Sequence, residues 1–267
     1  MPDEMPLAGG NITPVSRVGT VVHRAAGPWT QTVHELLRHL RSSGFDRAPR
    51  PLGFDAQGGE MLTFIEGVAG FFSADGTSPP NLWSDQVLVE AARLLRRFHD
   101  ATRNFVSPAG ATWQLTHPDV TRHEVICHND FAPYNLIFVD GEVHAMIDFD
   151  TAGPGPAIWD VAYAAYRFVP LVAPERLASL GWHEPPATGL RLKRFCDAYG
   201  LDQRHGFLDA VQERIEATRR MLIDGAAAGH AGYQRIIDEG GHIEGLEADR
   251  AFVEAHAQEF QNWVDKR

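Results

Sequence analysis

The chain has 267 residues, 44% of them hydrophobic, and a formal net charge of −11. That is enough apolar material for one large domain or two small ones, while no stretch nears the ~20 apolar residues of a membrane-spanning helix. The acidic balance repels phosphate backbones and anionic lipid surfaces, so neither nucleic acid nor membrane is expected as a partner.

Met1–Gly10 is acidic and carries Pro and Gly. It lacks the basic start and apolar run of a secretory signal, which sets a cytoplasmic expectation. Cys127 and Cys196 stand far apart in no metal-ligand spacing and read as reduced core cysteines. Asn11–Val18, the turn Gly19-Thr20 and Val21–Arg24 read as a strand hairpin. A helix is predicted from about Thr30 to Arg41, with Val33, Leu36, Leu37 and Leu40 as its apolar stripe and Gly44 as its stop. Pro51–Phe54 and Glu60–Ile65 read as two strands around the Gly58-Gly59 turn. From Glu66 to Pro80, Gly67, Gly70, Gly76, Pro79 and Pro80 mark a connector, placing a lobe boundary at Glu66. Ser84–His99 has helical spacing, and Glu124–Asp150 alternates strand and loop. The remainder reads as helices over Ile158–Val169, Thr188–Tyr199, Phe207–Ile223 and from Ala248 to the C-terminus.

The informative segment is Val125-Ile-Cys-His128-Asn-Asp130-Phe-Ala-Pro-Tyr-Asn135-Leu-Ile-Phe-Val139. Two apolar strands flank a loop of His, Asp, Pro and Asn. Asp140-Gly141 is a two-residue turn signal, after which Val143–Ile147 runs back to Asp148-Phe149-Asp150. With that turn, Val139 faces Glu142 and Asn135 faces Met146, so Asp148 shares Asn135's face and sits diagonal to it. Two oxygen ligands that leave room for phosphate oxygens suit magnesium, and Asp130 lies beside them. Phosphoryl transfer needs this set: a carboxylate for the acceptor hydroxyl, and ligands holding metal against the phosphates. Single Asp and Asn residues are also ordinary turn formers, and His128, Asp130 and His123 are a competing zinc set.

His128-x-Asp130-x-x-x-x-Asn135, the short hairpin and Ile147-Asp148-Phe149-Asp150 resemble the core of the aminoglycoside phosphotransferases and related small-molecule kinases. Gly153-Pro-Gly-Pro156 leading into Trp159-Asp160-Val161-Ala162 matches the usual continuation. The resemblance implies a two-lobed α+β protein-kinase-like fold. Residues 1–66 would form a small antiparallel-sheet nucleotide-binding lobe, and residues 67–267 a larger, mainly helical catalytic and substrate-binding lobe. It implies Asp130 as catalytic base, Asn135 and Asp148 as Mg2+ ligands, and His128 and Asp160 as structural supports, with the role of Asp150 open. The family places a basic residue on the third strand, paired with a helix glutamate. The only lysines here are Lys193 and Lys266. Arg24 is the natural occupant and Glu35 its partner, with a surface arginine and a Thr32-x-x-Glu35 capping box as the plain alternatives. Gly9-Gly10-Asn11 is a weak phosphate-loop candidate, and Thr63, Phe64 and Ile65 would form the hinge that holds the nucleotide base.

The activity implied is transfer of the γ-phosphoryl group of ATP or GTP to a hydroxyl of a small molecule, such as an aminoglycoside or another amino-alcohol. The acids Glu213, Glu216, Asp224, Asp238 and Glu239 would attract a cationic acceptor, or else form solvated helix faces. The competing class is a pseudokinase that binds nucleotide or ligand without turnover.

Overall fold

The structure, a computed structural model, describes residues 4–7, 15–71, 78–79, 81–182 and 184–266. Gly9, Gly10 and Asn11 lie outside the described residues. By contact the chain forms two compact units. One comprises Met1–Phe71 and Arg97–Ala157, the other Phe72–Arg96 and Ile158–Arg267. This division follows packing rather than chain order, so the loop segment after His123 joins the unit that holds the N-terminal strands.

In the first unit, β1 (Met5–Pro6), β2 (Val15–Val18), β3 (Val21–Arg24), β4 (Pro51–Phe54) and β5 (Glu60–Thr63) form an antiparallel sheet ordered β1-β2-β3-β5-β4. The Gly19-Thr20 turn joins β2 and β3 as expected, with Val18 opposite Val21. Helix α1 (Thr30–Ser42) buries the anticipated stripe: Val33, Leu36 and Leu40 are fully buried and Leu37 nearly so. At roughly 1.5–3 kcal/mol per buried aliphatic side chain, that stripe does more to hold the helix than its intrinsic propensity. The helix starts at Thr30, two residues before the capping-box position. Thr32 is buried and its hydroxyl oxygen accepts from the Thr112 N–H at 3.0 Å, so Thr32 is not the cap.

The predicted connector contains one short strand, β6 (Val68–Ala69), which pairs with the later hairpin. Two residues carry no periodicity for sequence to detect. After α2 (Asp85–Thr102) come β7 (Val125–Cys127), β8 (Leu136–Val139), β9 (Glu142–Met146) and β10 (Gly153–Gly155). β8 and β9 pair antiparallel, and β10, within the Gly153–Pro156 run that was not read as a strand, pairs with β7. Asp140 (φ +52°) and Gly141 (φ +82°) both take left-handed backbone, as a twisted two-residue hairpin turn requires. Phe98, His128, Phe131 and Phe149 form an aromatic cluster with ring centroids 5.0–6.3 Å apart beneath this segment.

The second unit is helical: α3 (Ala157–Phe168), α4 (Thr188–Tyr199), α5 (Phe207–Ala227), α6 (Ala231–Asp238) and α7 (His242–Asp265), with the first part of α2. α6 was not expected, because it is only eight residues long and ends at Gly240-Gly241. Asp249 on α7 is fully buried yet saturated. It accepts from Tyr166 Oη at 2.6 Å, from the Ala173 N–H at 2.9 Å and from Arg176. No helix among the described residues is long and apolar enough to cross a membrane.

Candidate active site

β7 delivers the chain to His128, and a single 3-10 turn, Pro133–Asn135, carries it into β8. Between them the loop is pinned by local bonds. His128 is fully buried with Nε2 3.0 Å from the Ile147 carbonyl, an acceptor only, so this nitrogen donates. Asn129 adopts φ +65°, which Asn tolerates better than most residues. Its side-chain amide donates to the Thr151 carbonyl at 2.9 Å, and the Thr151 hydroxyl donates back to the His128 carbonyl at 2.9 Å. The loop and the segment after β9 are thereby tied at three points.

Asp130 and Asn135 are brought together. The Asn135 amide donates to Asp130 Oδ2 at 2.8 Å and to the Asp130 carbonyl at 2.9 Å, while the Tyr134 hydroxyl donates to Oδ1 at 2.6 Å. With its NH2 engaged, Asn135 has its Oδ1 left as the atom for a cation; that oxygen accepts no hydrogen bond among the described residues.

The hairpin argument needs a correction. Val139 faces Glu142 and Phe138 faces Val143 as expected, but the register then shifts by one, so Met146 faces Leu136 rather than Asn135. The bulge lies at His144, skipped between Val143 and Ala145. The Asn135 backbone carbonyl instead accepts from the Ile147 N–H at 2.9 Å. Regular alternation would then turn Asp148 away from Asn135's face. Beyond β9 the strand has ended, and Asp148 takes left-handed backbone at φ +65°, which re-aims its side chain. A non-glycine residue held there is strained, and such strain concentrates at functional positions.

Asp148 and Asp150 meet on Arg24. The guanidinium donates from Nη1 to Asp148 at 3.1 Å, from Nη2 to Asp150 at 2.6 Å, and from Nε to Glu60. The plain surface-arginine reading of Arg24 therefore fails, since its side chain is 8% exposed. Its expected partner was wrong. Glu35 accepts from Gln31 at 3.2 Å and from Arg38 at 2.8 Å on its own helix, with its side chain 42% exposed. Glu60 takes the place because Arg24 and Glu60 are direct cross-strand partners on β3 and β5. Glu60 is buried, and His34 of α1 donates from Nε2 to its second oxygen at 2.8 Å. Sequence reading missed both residues. The available signal was an acid opening a strand that must pair with Arg24's strand, which becomes visible only once β3 and β5 are known to be neighbours.

The electrostatics of this cluster are unbalanced. Burial works against the Arg24 charge, but Asp150, Glu60 and Asp148 more than offset it and hold the guanidinium firmly protonated. Burial opposes ionisation of Glu60 too, but the His34 hydrogen bond and Arg24 outweigh it and keep Glu60 ionised. Asp150 is pushed up to about 6 by burial, against the pull of Arg24 and with help from Asp148 and Glu60. One cation faces three carboxylates, a surplus of two negative charges when all are ionised. Asp148 is half-exposed and its Oδ2 has no partner among the described residues. Asp148 Oδ2 is thus the open carboxylate oxygen of a cluster that is short of two positive charges when all three acids are ionised.

Thr63 closes β5 opposite Val21, and its hydroxyl oxygen accepts from the Arg50 N–H at 2.8 Å. The Phe64 N–H donates to the Thr20 carbonyl at 2.8 Å, and Ile65 lies past the end of the ladder, partly exposed. Arg17 covers the Phe64 ring at 3.7 Å and pairs with Glu66 at 2.5 Å, a bracket that sequence reading missed. Asp160 lies fully buried in the first turn of α3, in the second unit. The zinc reading finds no support: His123 Nε2 is bonded to the His117 carbonyl at 2.8 Å, and no group of three His, Cys, Asp or Glu among the described residues could hold a metal ion. The helix acids resemble solvated faces. Glu213, Asp224, Asp238 and Glu239 are exposed, and Arg219 and Arg220 hold Glu216 down to about 2.

The chain shares its fold with solved phosphotransferases. Aminoglycoside 2'-phosphotransferase-IIIa in its GDP complex superposes with a TM-score of 0.62 over 93% of this chain and 92% of that one, at 16% identity. A choline/ethanolamine kinase family protein from Mesorhizobium loti gives 0.56 over 98% and 92%, at 14% identity. An ethanolamine kinase from Plasmodium vivax gives 0.59 over 98% and 84%, at 12% identity. The fold is thus the two-lobed, α+β protein-kinase-like one, with an antiparallel sheet toward the N-terminus and a mainly helical C-terminal part. In sequence, residues 109–192 match the phosphotransferase enzyme family, APH. The trifolitoxin immunity protein of Rhizobium leguminosarum bv. trifolii is 36% identical over 234 residues, 84% of this chain and 87% of that protein. The chain belongs to this phosphotransferase enzyme family.

Proposed function

We propose that this protein transfers the γ-phosphoryl group of ATP or GTP to a hydroxyl of a small molecule, with magnesium required. The observation that carries the reading is the clustering, from segments far apart in sequence, of Arg24, Asp148 and Asp150 beside a pinned Asp130–Asn135 loop. Asp130 receives or orients the acceptor hydroxyl proton, and the Asn135 amide and Tyr134 hydroxyl fix the direction of its carboxylate. Asn135 Oδ1 and Asp148 hold the magnesium ion, which when bound neutralises charge on the phosphates. The Nη edge of Arg24 binds phosphate oxygens as a planar fork. His128 ties the loop to the backbone just before Asp148. Thr63, Phe64 and Ile65 form the hinge that takes the base.

The structural relatives named for aminoglycosides, choline and ethanolamine all point to hydroxyl-bearing amines. A chain of net charge −11 favours such a cation. Complexes of similar folds with GDP and ADP leave either nucleotide open as donor. A second reading, nucleotide binding without turnover, draws on one observation: Arg24 occupies Asp148, and both Asp130 oxygens already accept hydrogen bonds. The name of the trifolitoxin immunity protein gives that relative a protective role and does not separate the two. The deciding experiment is consumption of ATP and GTP, with and without magnesium, against ethanolamine, choline and a panel of aminoglycosides. Magnesium-dependent turnover with any acceptor establishes the kinase. Tight nucleotide binding with no acceptor turned over establishes the second reading.

A further inference from the structure

We propose that Glu60, held by His34, is the positioning residue that aims Arg24 at the nucleotide phosphates; this rests on the phosphoryl-transfer reading above. A guanidinium has one N–H at Nε and two at each Nη. Glu60 takes Nε, which fixes the plane of the group and leaves only the Nη edge to turn toward Asp148 and Asp150. Each Nη keeps a second N–H for a phosphate oxygen. Glu60 also acts as a counterweight. Without it, Arg24 would be drawn fully onto Asp148 and Asp150 and would cover the carboxylate that the metal needs.

The support behind Glu60 has the same logic. Its two oxygens are divided, one to Arg24 and one to His34, so the carboxylate cannot rotate. His34 is fully buried, and its Nδ1 has no hydrogen-bond partner among the described residues. Burying an unmatched ring nitrogen destabilises a fold, and an apolar side chain beside Val33, Leu36 and Leu37 would avoid the cost. The hydrogen bond to buried Glu60 is what histidine supplies here in return. That donor locks Glu60, and polar residues that break the packing rule are the ones expected at functional positions. The anchor of Arg24 is thus a strand glutamate backed by a helix histidine, and not the helix residue Glu35.

The test compares Glu60→Gln, His34→Leu, His34→Gln, Arg24→Ala and the double variant Arg24→Ala/Glu60→Gln, each checked for folding by thermal melting. Titration calorimetry with ATP and with GTP in the presence of magnesium chloride reads nucleotide affinity. The 15Nε–H resonance of Arg24 reads its anchoring without any nucleotide. Glu60→Gln and His34→Leu are expected to weaken nucleotide binding about tenfold and to shift or broaden the Arg24 resonance. His34→Gln, which keeps a donor, stays within about twofold of the wild type. In the Arg24→Ala background, Glu60→Gln adds nothing further. If Glu60→Gln does not fold, the His34→Leu and His34→Gln pair decides by the same two readouts. If wild type binds nucleotide through Arg24 while Glu60→Gln is unaffected, or adds to Arg24→Ala, the positioning role is overturned and the kinase reading stands. If wild type binds neither nucleotide, the kinase reading fails. The Arg24 resonance then decides separately whether Glu60 and His34 anchor it, and an unchanged resonance in both variants overturns that too.

Discussion

Two buried acid clusters, one in each unit, use the same side chains to opposite ends. Around Asp249 every account closes: one carboxylate receives a tyrosine hydroxyl, a backbone N–H and one arginine. Burial and the neighbouring carboxylate push Tyr166 up to about 12, so it stays a neutral donor. Around Arg24 the charges do not close. Three carboxylates share one guanidinium, one acid is pushed up to about 6, and another is half-exposed on a strained backbone. A cluster built only to hold a fold has its charges matched. A cluster that leaves two negative charges over is prepared for a ligand that supplies positive charge.

The largest expected effect comes from the chemistry itself. Asp130→Ala should lower turnover by about 10²-fold or more, while nucleotide affinity by calorimetry stays near wild type. A variant that keeps a tenth of its rate would remove Asp130 from the role of base. Next, Asp249→Ala leaves Tyr166, the Ala173 N–H and Arg176 without their acceptor. It should cost roughly 3 kcal/mol in urea unfolding with unchanged nucleotide affinity. If this variant instead loses nucleotide binding at full stability, the contrast between the clusters is wrong.

Asp150 should behave in the reverse sense. Its folded-state value, about 6, lies above the ordinary carboxylate value of 3.8. The native state therefore holds its proton longer than the unfolded chain does. The stability this group contributes is fully present below pH 3.8 and is lost as pH rises through about 6. Asp150→Asn should be more stable than wild type at pH 7 by up to about 3 kcal/mol, and the difference should vanish toward pH 4. Parallel stability curves for the two proteins would refute the raised value assigned to that carboxylate. The smallest effect belongs to Glu35. Its exposed pairs contribute about 0.5 kcal/mol or less, so Glu35→Ala should leave nucleotide affinity unchanged, where Glu60→Gln does not.

The same two clusters show how far sequence reaches. Asp130, Tyr134, Asn135 and His128 interact across spacings of a few residues or one short hairpin, so their association follows from local geometry. The β-hairpin turn, the α1 stripe and the bounds of β4 and α4 were legible for the same reason. Arg24 meets Asp148 and Asp150 across more than a hundred residues, and Glu60 reaches it only through the β3–β5 pairing. No pattern in one chain writes out that pairing. The register slip at His144 was hidden for a different reason: a bulge preserves the hydrophobic alternation on both sides of itself and leaves no mark in the residue types.

The proposed use of Arg24, an arginine and not a lysine, as the cation of the strand also sets how this protein would look to covalent chemistry. Both lysines lie in the second unit, Lys193 paired with Asp197 at 2.5 Å and Lys266 over the Trp263 ring at 3.7 Å. A guanidinium held firmly protonated is not a nucleophile. An acylating nucleotide analogue, which needs an amine to capture, would find no lysine in the unit that holds Arg24. On the proposed reading, a survey that recognises kinases by such labelling would pass over this protein.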